Sequence, residues 1–534
     1  MDLKEKLKNF KAIHLIAIGI IFIFNLVFFA PQFEGKTVKA HDSISSTAWS
    51  KLPTDYSKQT GEPSYWNSSM FCGMPWGLLS KGYQYNFTRY LNKLSHAFFS
   101  YPAGYMIKAG LLTYLALILL GISPYLSVIL ALAFSFNVNY LVLIEAGHGN
   151  KLEVLAGFPL FISGLILAFR GKTIISFLVL SLSMSIAILR NHPQMVYYLL
   201  MLMFVFALVY FFFSIKNKKV SKFLKASVVA ILAIGFGLGA NLTQILSSKD
   251  VADGTMRGKP ILKTEIKNEA ANSSSNVNGL NWEYAMGWSF GKEDVFSTMI
   301  PRAVGGSSKE EIGKAVNGEN SLANALKSDP RFKPKKDGNY TFPLYFGKMG
   351  STGGPAYLGA AILFLFIFSM FLMEWKNKLA FGLTALFLII LSMGKNFEVV
   401  NHFLFDYLPF FNKFRAPSSI INILPAFLVL GIGIGLSKFF NSENKKQYLK
   451  PLIISGSITA GLCIIFYLIA MNMDSIDEGQ ELIKDARKSL LGADTIRSIA
   501  IIGAALLILF LYVKRNFDFI IQINGIYNVA FILN

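Results

Sequence analysis

The sequence predicts an all-α polytopic membrane protein with about 12 transmembrane helices, and three observations support this fold class. Of its 534 residues, 53% are hydrophobic and 15% are charged, which leaves too little polar surface to cover a soluble protein of this size. Apolar runs of roughly 17 to 25 residues, the length that crosses a bilayer, recur along the chain. The 51 Lys and Arg residues exceed the 31 Asp and Glu residues by 20 and lie between those runs, as topology signals do. No nucleic acid is therefore expected as a partner.

Twelve segments meet the length criterion, and the first of them follows a lysine-rich N-terminus. That segment has a long apolar run and no small-residue cleavage site after it, so it is predicted to be a retained anchor and not a signal peptide. The segments lie near residues 13–30, 105–122, 125–144, 153–169, 173–189, 196–214, 226–246, 356–373, 379–393, 420–437, 451–471 and 498–513.

Loop charges predict the orientation of these segments. If the N-terminus is cytoplasmic, every second loop should be cytoplasmic and rich in Lys and Arg. Those loops are indeed basic, for example Arg170 and Lys172, then Lys216, Lys218 and Lys219. The predicted organisation is a cytoplasmic N-terminus with the first helix (1–30), a first extracytoplasmic loop (31–104), transmembrane helices 2–7 (105–246), a long extracytoplasmic loop (247–355), transmembrane helices 8–12 (356–513) and a C-terminal tail (514–534).

Polar residues that resemble a functional site all fall on the predicted outer side. Separate loops bring one carboxylate, two histidines and several cations to this face, where a pocket at the membrane surface could gather them. The candidates are Asp42 for catalysis and His41, His148, Lys151, Arg190, His192, Arg257, Trp288, Lys413 and Arg415 for substrate binding. Each also has a simpler explanation: the histidines as capping or loop residues, the cations as headgroup anchors, and the tryptophan as a packing residue.

Several other sites are excluded by spacing. Gly171-Lys172-Thr173 resembles the end of a phosphate-binding loop, but Ile166 stands where the first glycine should be. The chain has no His-Glu-x-x-His and no Gly-x-Ser-x-Gly motif, and two cysteines, Cys72 and Cys463, cannot build a disulfide framework or a four-cysteine metal site. A loosely bound Mg or Mn ion that bridges Asp42 and a substrate phosphate remains compatible with the sequence.

Ordered blocks of sequence resemble the YfhO-like bacterial membrane proteins, especially those from Bacteroidetes. The first loop contributes Ala40-His41-Asp42, Thr60-Gly61-Glu62-Pro63 and Gly73-Met74-Pro75. Further similar blocks follow in order along most of the chain: Glu145-Ala146-Gly147-His148, Asn191-His192-Pro193-Gln194, Thr255-Met256-Arg257-Gly258, Trp288-Ser289-Phe290-Gly291 and Asn412-Lys413-Phe414-Arg415-Ala416.

The resemblance implies a glycosyltransferase of the GT-C type in the bacterial inner membrane. Such an enzyme moves a sugar from a polyprenyl-phosphate donor to an envelope glycan or glycolipid acceptor on the outer side, and it contacts membrane lipids. Asp42 matches the acidic residue of the first outer loop that serves as general base in this class. The sequence departs from the class because no second acidic residue adjoins Asp42.

Two other functions remain open at this stage. A lipid or polysaccharide transporter or flippase should place ionisable groups near the bilayer midplane and use broken helices, whereas nearly all charges here are predicted to lie in loops. A non-catalytic scaffold in envelope assembly is the third possibility. Compared with the family it resembles, the chain is expected to be shortened at its C-terminus, where a weak apolar run, Phe519 to Leu533, follows the last predicted helix.

Overall fold

A computed structural model describes residues 3–76, 86–255, 257–258, 279–311, 341–477 and 481–515. Most of the predicted C-terminal tail, together with Met256 and parts of the long loop 247–355, lies outside the described residues. Of the described residues, 74% are helical, and the fold is that of an all-α polytopic membrane protein.

The helices follow one another with short connections. In chain order the α-helices are Leu3–Phe28, Ala30–Phe33, His41–Thr60, Thr88–Ser95, Ala103–Leu119, Pro124–Ser135, Val138–Ala146, Gly149–Leu155, Phe158–Phe169, Thr173–Leu189, Pro193–Lys216, Val220–Gly239, Leu242–Asp253, Trp282–Ala285, Ala360–Leu372, Trp375–Ser392, Glu398–Tyr407, Leu424–Phe440, Leu449–Ala470, Asp474–Asp477 and Glu481–Arg515. Two small antiparallel hairpins accompany them, Trp66–Asn67 with Met74–Pro75 and Glu310–Glu311 with Thr341–Phe342.

In the part of the chain that the structure describes, eight helical segments are long and apolar enough to cross a membrane. They are Pro124–Ala146, Gly149–Phe169, Pro193–Lys216, Val220–Gly239, Trp375–Ser392, Pro417–Phe440, Lys445–Ala470 and Ile483–Lys514. Four shorter apolar helices, Ala12–Phe28, Ala103–Leu119, Thr173–Leu189 and Ala360–Leu372, coincide with the remaining predicted segments.

Two of the long segments are interrupted, each by a local sequence signal. Between Pro124–Ser135 and Val138–Ala146, the side chain of Asn137 accepts a hydrogen bond from the backbone nitrogen of Tyr140 (3.1 Å) and so starts a new helix. The second break separates Gly149–Leu155 from Phe158–Phe169, where Pro159 stands in the first turn of the later helix. Both breaks set short helices at one end of the bundle, and these helices position the candidate site.

The centre of the bundle is formed by the Gly149–Phe169 and Pro417–Phe440 segments, in which 94% and 89% of the apolar window is buried. The Ala103–Leu119 and Thr173–Leu189 helices pack against Phe158–Phe169, and Ala360–Leu372 packs against Leu424–Phe440. One continuous apolar core joins these helices, because Leu424–Phe440 also contacts Pro124–Ser135. The first and second halves of the chain are therefore packed together around the site.

The Glu481–Arg515 helix is longer than a membrane requires. Its 35 residues span about 52 Å at 1.5 Å per residue, against about 30 Å of hydrocarbon. In its N-terminal part, the Asp494 carboxylate accepts two hydrogen bonds from Arg302 (2.7 and 3.1 Å), and Arg487 donates to the carbonyl oxygens of Pro343 and Leu344 (both 3.0 Å). These contacts fasten the long loop to the helix.

Candidate functional site

Asp42 and His148 come from different loops and form a direct pair. Asp42 lies in the first turn of the His41–Thr60 helix, and His148 lies between the Val138–Ala146 and Gly149–Leu155 helices. Nε2 of His148 is 3.0 Å from Oδ2 of Asp42, whose side chain remains 55% exposed. The neighbouring His41 is 92% exposed, and its Nδ1 lies 3.4 Å from Oδ1 of Asp42. The carboxylate therefore has a histidine beside each oxygen, closer at Oδ2 than at Oδ1, and remains open to solvent.

The ionisation of His148 determines how this pair works. Burial, followed by the positive charge of Lys151, lowers the pKa of His148, and the opposing effects of Asp42 do not reverse the shift. The imidazole is consequently neutral near pH 7. Because an ionised carboxylate only accepts hydrogen bonds, Nε2 of His148 must carry the proton that it donates to Asp42. His148 thus orients the Asp42 carboxylate without adding a positive charge.

Lys151 follows His148 on the short Gly149–Leu155 helix. Its Nζ donates to Oγ of Ser419 (3.3 Å), which belongs to the turn at Pro417–Ile423. The same turn is joined to the first half of the chain by a hydrogen bond from Asn139 to Asn422 (2.8 Å). The packing of the two halves therefore places Lys151 beside the segment that carries Lys413 and Arg415.

His192 stands immediately before the Pro193–Lys216 helix and is surrounded by cationic residues. Burial, followed by the charge of Lys151 and then by smaller effects of His148 and Arg257, lowers the pKa of His192 to about 3. The ring is therefore neutral at physiological pH. Among the residues that the structure describes, none forms a hydrogen bond with its buried Nδ1. Buried polar atoms are normally satisfied, so this nitrogen is available to a water molecule or a bound ligand.

Arg257 and Lys413 connect the long loop to the later segment. Each side chain donates a hydrogen bond to the backbone carbonyl oxygen of the other residue. Burial, followed by the nearby charge of Arg415, lowers the pKa of Arg257. The contact of Arg257 with the backbone of Lys413, two residues before Arg415, places the two arginines near each other. Two cations held together in this way favour the binding of an anion between them.

Arg415 rests on two aromatic rings. Its guanidinium carbon lies 5.2 Å from the ring centre of Tyr284 and 5.6 Å from that of Trp288, which is 38% exposed. Arg415 also donates to the hydroxyl of Tyr284, and its carbonyl accepts a hydrogen bond from Gln194 (2.6 Å). The aromatic rings therefore hold the guanidinium in place beside the start of the Pro193–Lys216 helix.

The structure thus brings most of the predicted residues into one connected site. Contacts or electrostatic effects link Asp42, His148, Lys151, His192, Arg257 and Arg415 in sequence, while His41, Trp288 and Lys413 lie at its edges. Arg190 is placed differently. Its side chain forms an ion pair with the fully buried Glu153 and donates to the hydroxyl of Tyr105 (3.1 Å).

Glu153 is the centre of a buried ionic cluster that the sequence analysis did not identify. His96 Nε2 lies 2.9 Å and Lys108 Nζ lies 3.5 Å from the same Glu153 oxygen, and Lys108 also donates to Asn92 (2.7 Å). The expectation that nearly all charges lie in loops is wrong for Lys108 and Glu153, which are fully buried in helices. An ionisable residue inside an apolar segment is itself a signal of a paired or functional group, and it could have identified Lys108.

A resident metal ion is not supported by the donor groups at this site. Within the described ranges, no three His, Cys, Asp or Glu side chains come together as a group able to hold a metal. With its single carboxylate, Asp42 would bind Mg²⁺ only together with waters and a substrate phosphate, an arrangement that is common for this ion.

The chain was compared with protein-family models, curated proteins and solved structures. No protein-family model, curated protein or solved structure shows significant similarity to the chain.

Proposed function

We propose that this protein is a membrane glycosyltransferase that moves a sugar from a polyprenyl-phosphate donor to an envelope glycan or glycolipid. One observation carries the proposal: the exposed Asp42 carboxylate is oriented by His148 and lies beside a group of cations. A carboxylate can accept a proton and neighbouring cations can stabilise a departing phosphate, which are two tasks in glycosyl transfer from a lipid phosphate. The resemblance to YfhO-like proteins is in keeping with this activity.

In the proposed reaction, Asp42 is the general base. The acceptor hydroxyl attacks the anomeric carbon of the sugar, its proton passes to Asp42, and the bond from the sugar to the phosphate oxygen breaks with inversion. The hydrogen bond from His148 occupies Oδ2, so Oδ1 would receive the proton, and its longer contact with the exposed His41 would have to give way. General-base catalysis of this kind contributes roughly 10²- to 10⁴-fold to the rate.

The leaving lipid phosphate would be held by the cations. Lys151, Arg257 and Arg415 stabilise the negative charge that develops as the bond breaks, the arginines through bidentate contacts and the lysine as a point charge. Neutral His192 would donate or accept a hydrogen bond through its free Nδ1. Trp288 would offer a flat apolar surface to the sugar. Arg190 acts indirectly in this scheme, through its ion pair with Glu153.

The proposed setting is the bacterial inner membrane, with twelve spans and a cytoplasmic N-terminus. The eight longer segments and the four shorter apolar helices together give twelve candidate spans. The alternation of basic loops supports the orientation. It puts the Asp42 site on the outer side, where nucleotide sugars are not expected and a lipid-linked donor is needed.

Transport of a lipid or polysaccharide is the second candidate function. The buried cluster of His96, Lys108, Glu153 and Arg190 favours it, because transporters place ionisable groups among their membrane helices. The two interrupted helices also match the architecture of many transporters.

Purified protein in liposomes, supplied with a radiolabelled lipid-linked sugar and an envelope acceptor, separates the two candidates. Asp42→Asn should bind the donor normally and lose about 10²-fold or more in single-turnover transfer. Arg415→Ala should instead weaken donor binding, because a charge-assisted hydrogen bond worth roughly 1.5 to 3 kcal/mol is lost.

The contrast between the two variants distinguishes a chemical role from misfolding, which would reduce binding and transfer together. Normal transfer by Asp42→Asn would remove this residue from the mechanism. Movement of the lipid between leaflets without any sugar transfer by the parent protein would favour the transporter.

A further inference from the structure

The short Thr88–Ser95 helix exposes apolar residues and buries polar ones, which is the reverse of a surface helix in a soluble protein. Phe87, which precedes the helix, is 68% exposed, and Tyr90 and Leu94 are 65% and 62% exposed. Thr88 and Asn92, on the opposite face, are only 5% and 3% exposed. In water, an amphipathic helix buries its apolar face and exposes its polar one. The outward face of this helix therefore belongs in an apolar environment.

The buried face is fixed by specific hydrogen bonds. Oγ1 of Thr88 and Nδ2 of Asn86 both donate to Oδ1 of Asn241 (3.3 and 2.6 Å). Asn92 accepts from Lys108 and donates to the Glu153 carboxylate. Rotation of the helix would break these bonds and deprive the buried Lys108 and Glu153 of a hydrogen-bond partner, which is costly. The exposure of the apolar residues is thus imposed by the fold.

We propose that the Thr88–Ser95 helix lies in the membrane, in the leaflet nearest the Asp42 site, with Phe87, Tyr90 and Leu94 in contact with lipid acyl chains. Glu153, which contacts this helix, lies on the same short helix as Lys151 of the site. The depth of the helix is therefore that of the site-bearing end of the bundle.

The apolar surface of the helix continues into that of its neighbours. Asn241, which bonds to the residues around Phe87, is followed by Leu242, which is 51% exposed. The Val220–Gly239 helix, a candidate membrane span, ends just before it and exposes Phe236 (66%). A lipid layer that covers Phe236 and Leu242 would also cover Phe87, because the three residues belong to one continuous apolar surface.

The position of Lys93 favours lipid over a protein partner as the occupant. Lys93 is exposed and lies three residues after Tyr90, at the edge of the apolar face. At a membrane surface its stem can lie along acyl chains while the ammonium group reaches the headgroups. Tyr90 suits the same depth, because its ring is apolar and its hydroxyl is polar.

Spin labelling tests this proposal in proteoliposomes. With Cys72→Ser and Cys463→Ala as background, a nitroxide is attached to Leu94→Cys and, in a second protein, to Tyr90→Cys. Collision with oxygen, which concentrates in lipid, is compared with collision with a water-soluble nickel chelate. Two controls set the scale: Leu232→Cys, on a candidate span and 60% exposed, and Lys58→Cys, exposed on the His41–Thr60 helix.

The oxygen-to-nickel accessibility ratio at positions 94 and 90 should resemble that at Leu232 and exceed that at Lys58. A ratio like that of Lys58 would overturn the proposal, because the face would then be in water. Low accessibility to both reagents would also overturn it and would indicate a protein partner. The experiment measures no sugar transfer, so its outcome is independent of the proposed function.

Discussion

Gly147 packs so closely against Ser43 that a Cβ atom on the glycine would lie 2.8 Å from the Ser43 backbone nitrogen. The same Cβ would lie 3.1 Å from Cβ of Asp42. Gly147 also has a φ of +87°, which L side chains rarely adopt. The contact seats the start of the His41–Thr60 helix on the loop of His148, and it is the reason that Asp42 and His148 can meet.

Gly147→Ala should therefore both destabilise the protein and separate Asp42 from His148. The left-handed backbone costs about 1–2 kcal/mol with a side chain, and the displaced Ser43 adds to this cost. The apparent unfolding temperature, measured at one heating rate, should fall further than in Gly121→Ala. Gly121 has a φ of +86° with no atom within 4 Å of an added Cβ, so it isolates the backbone effect. Equal shifts in the two variants would contradict the close packing at Ser43.

Glu153→Gln should be strongly destabilising, because it leaves the fully buried Lys108 and the partly buried Arg190 without this counter-charge. Removal of one partner from a buried ion pair costs about 3–5 kcal/mol. The measurement is again the apparent unfolding temperature of the purified protein. Glu145→Gln is the matched control, since Glu145 is exposed near the same end of the bundle.

A double variant makes the cause of that loss identifiable. Adding Lys108→Met to Glu153→Gln removes the fully buried cation that has lost its counter-charge, so it should restore part of the stability. If the double variant is no more stable than Glu153→Gln alone, charge imbalance is not the source of the loss.

The stability of the protein should fall as the pH is lowered from about 6.5, in part through His192. The unfolded chain takes up a proton on this residue near pH 6.5, whereas burial and Lys151 lower the pKa in the folded protein to about 3. The stabilisation is fully present above pH 6.5 and is lost progressively as the pH falls towards 3, at up to about 1.4 kcal/mol per pH unit.

His192→Gln should flatten this dependence between pH 6.5 and 4.5, measured as the unfolding temperature across the range. His41→Gln serves as the control, because His41 is 92% exposed and should leave the slope unchanged. An unaltered slope in His192→Gln would show that other groups account for the acid sensitivity.

Cysteine labelling tests the proposed orientation. In protein without its native cysteines, Asn150→Cys should react with an impermeant maleimide in intact cells, because it adjoins the outer site. Lys218→Cys, in a basic loop, should react only after the membrane is opened. The reverse pattern would place the Asp42 site in the cytoplasm.

Hydrophobic length alone predicted where the apolar helices lie. The segment predicted at 173–189 is observed as Thr173–Leu189, and the one at 451–471 as Leu449–Ala470. Such agreement is possible because the length of an apolar segment can be determined from the local sequence alone. The interruption at Asn137 was missed, since a single capping residue does not change the hydrophobicity of the run.

The partners of polar residues could not be predicted in the same way. Lys108 lies 45 residues from Glu153 in sequence, and Arg302 lies 192 residues from Asp494. Such pairs depend on helix packing, which hydrophobicity does not encode residue by residue. The residues of the candidate site were easier to group, because charge alternation predicts that their loops lie on one side of the membrane.

The attachment of the long loop to the final helix has a consequence for biosynthesis. The partners of Arg302, Pro343 and Leu344 lie on the Glu481–Arg515 helix, which the ribosome makes long after the loop itself. These contacts can therefore form only after the last apolar helix has been made. Until then the loop residues that they cover are accessible to chaperones and proteases, so synthesis of the final helix completes the folding of this part of the loop.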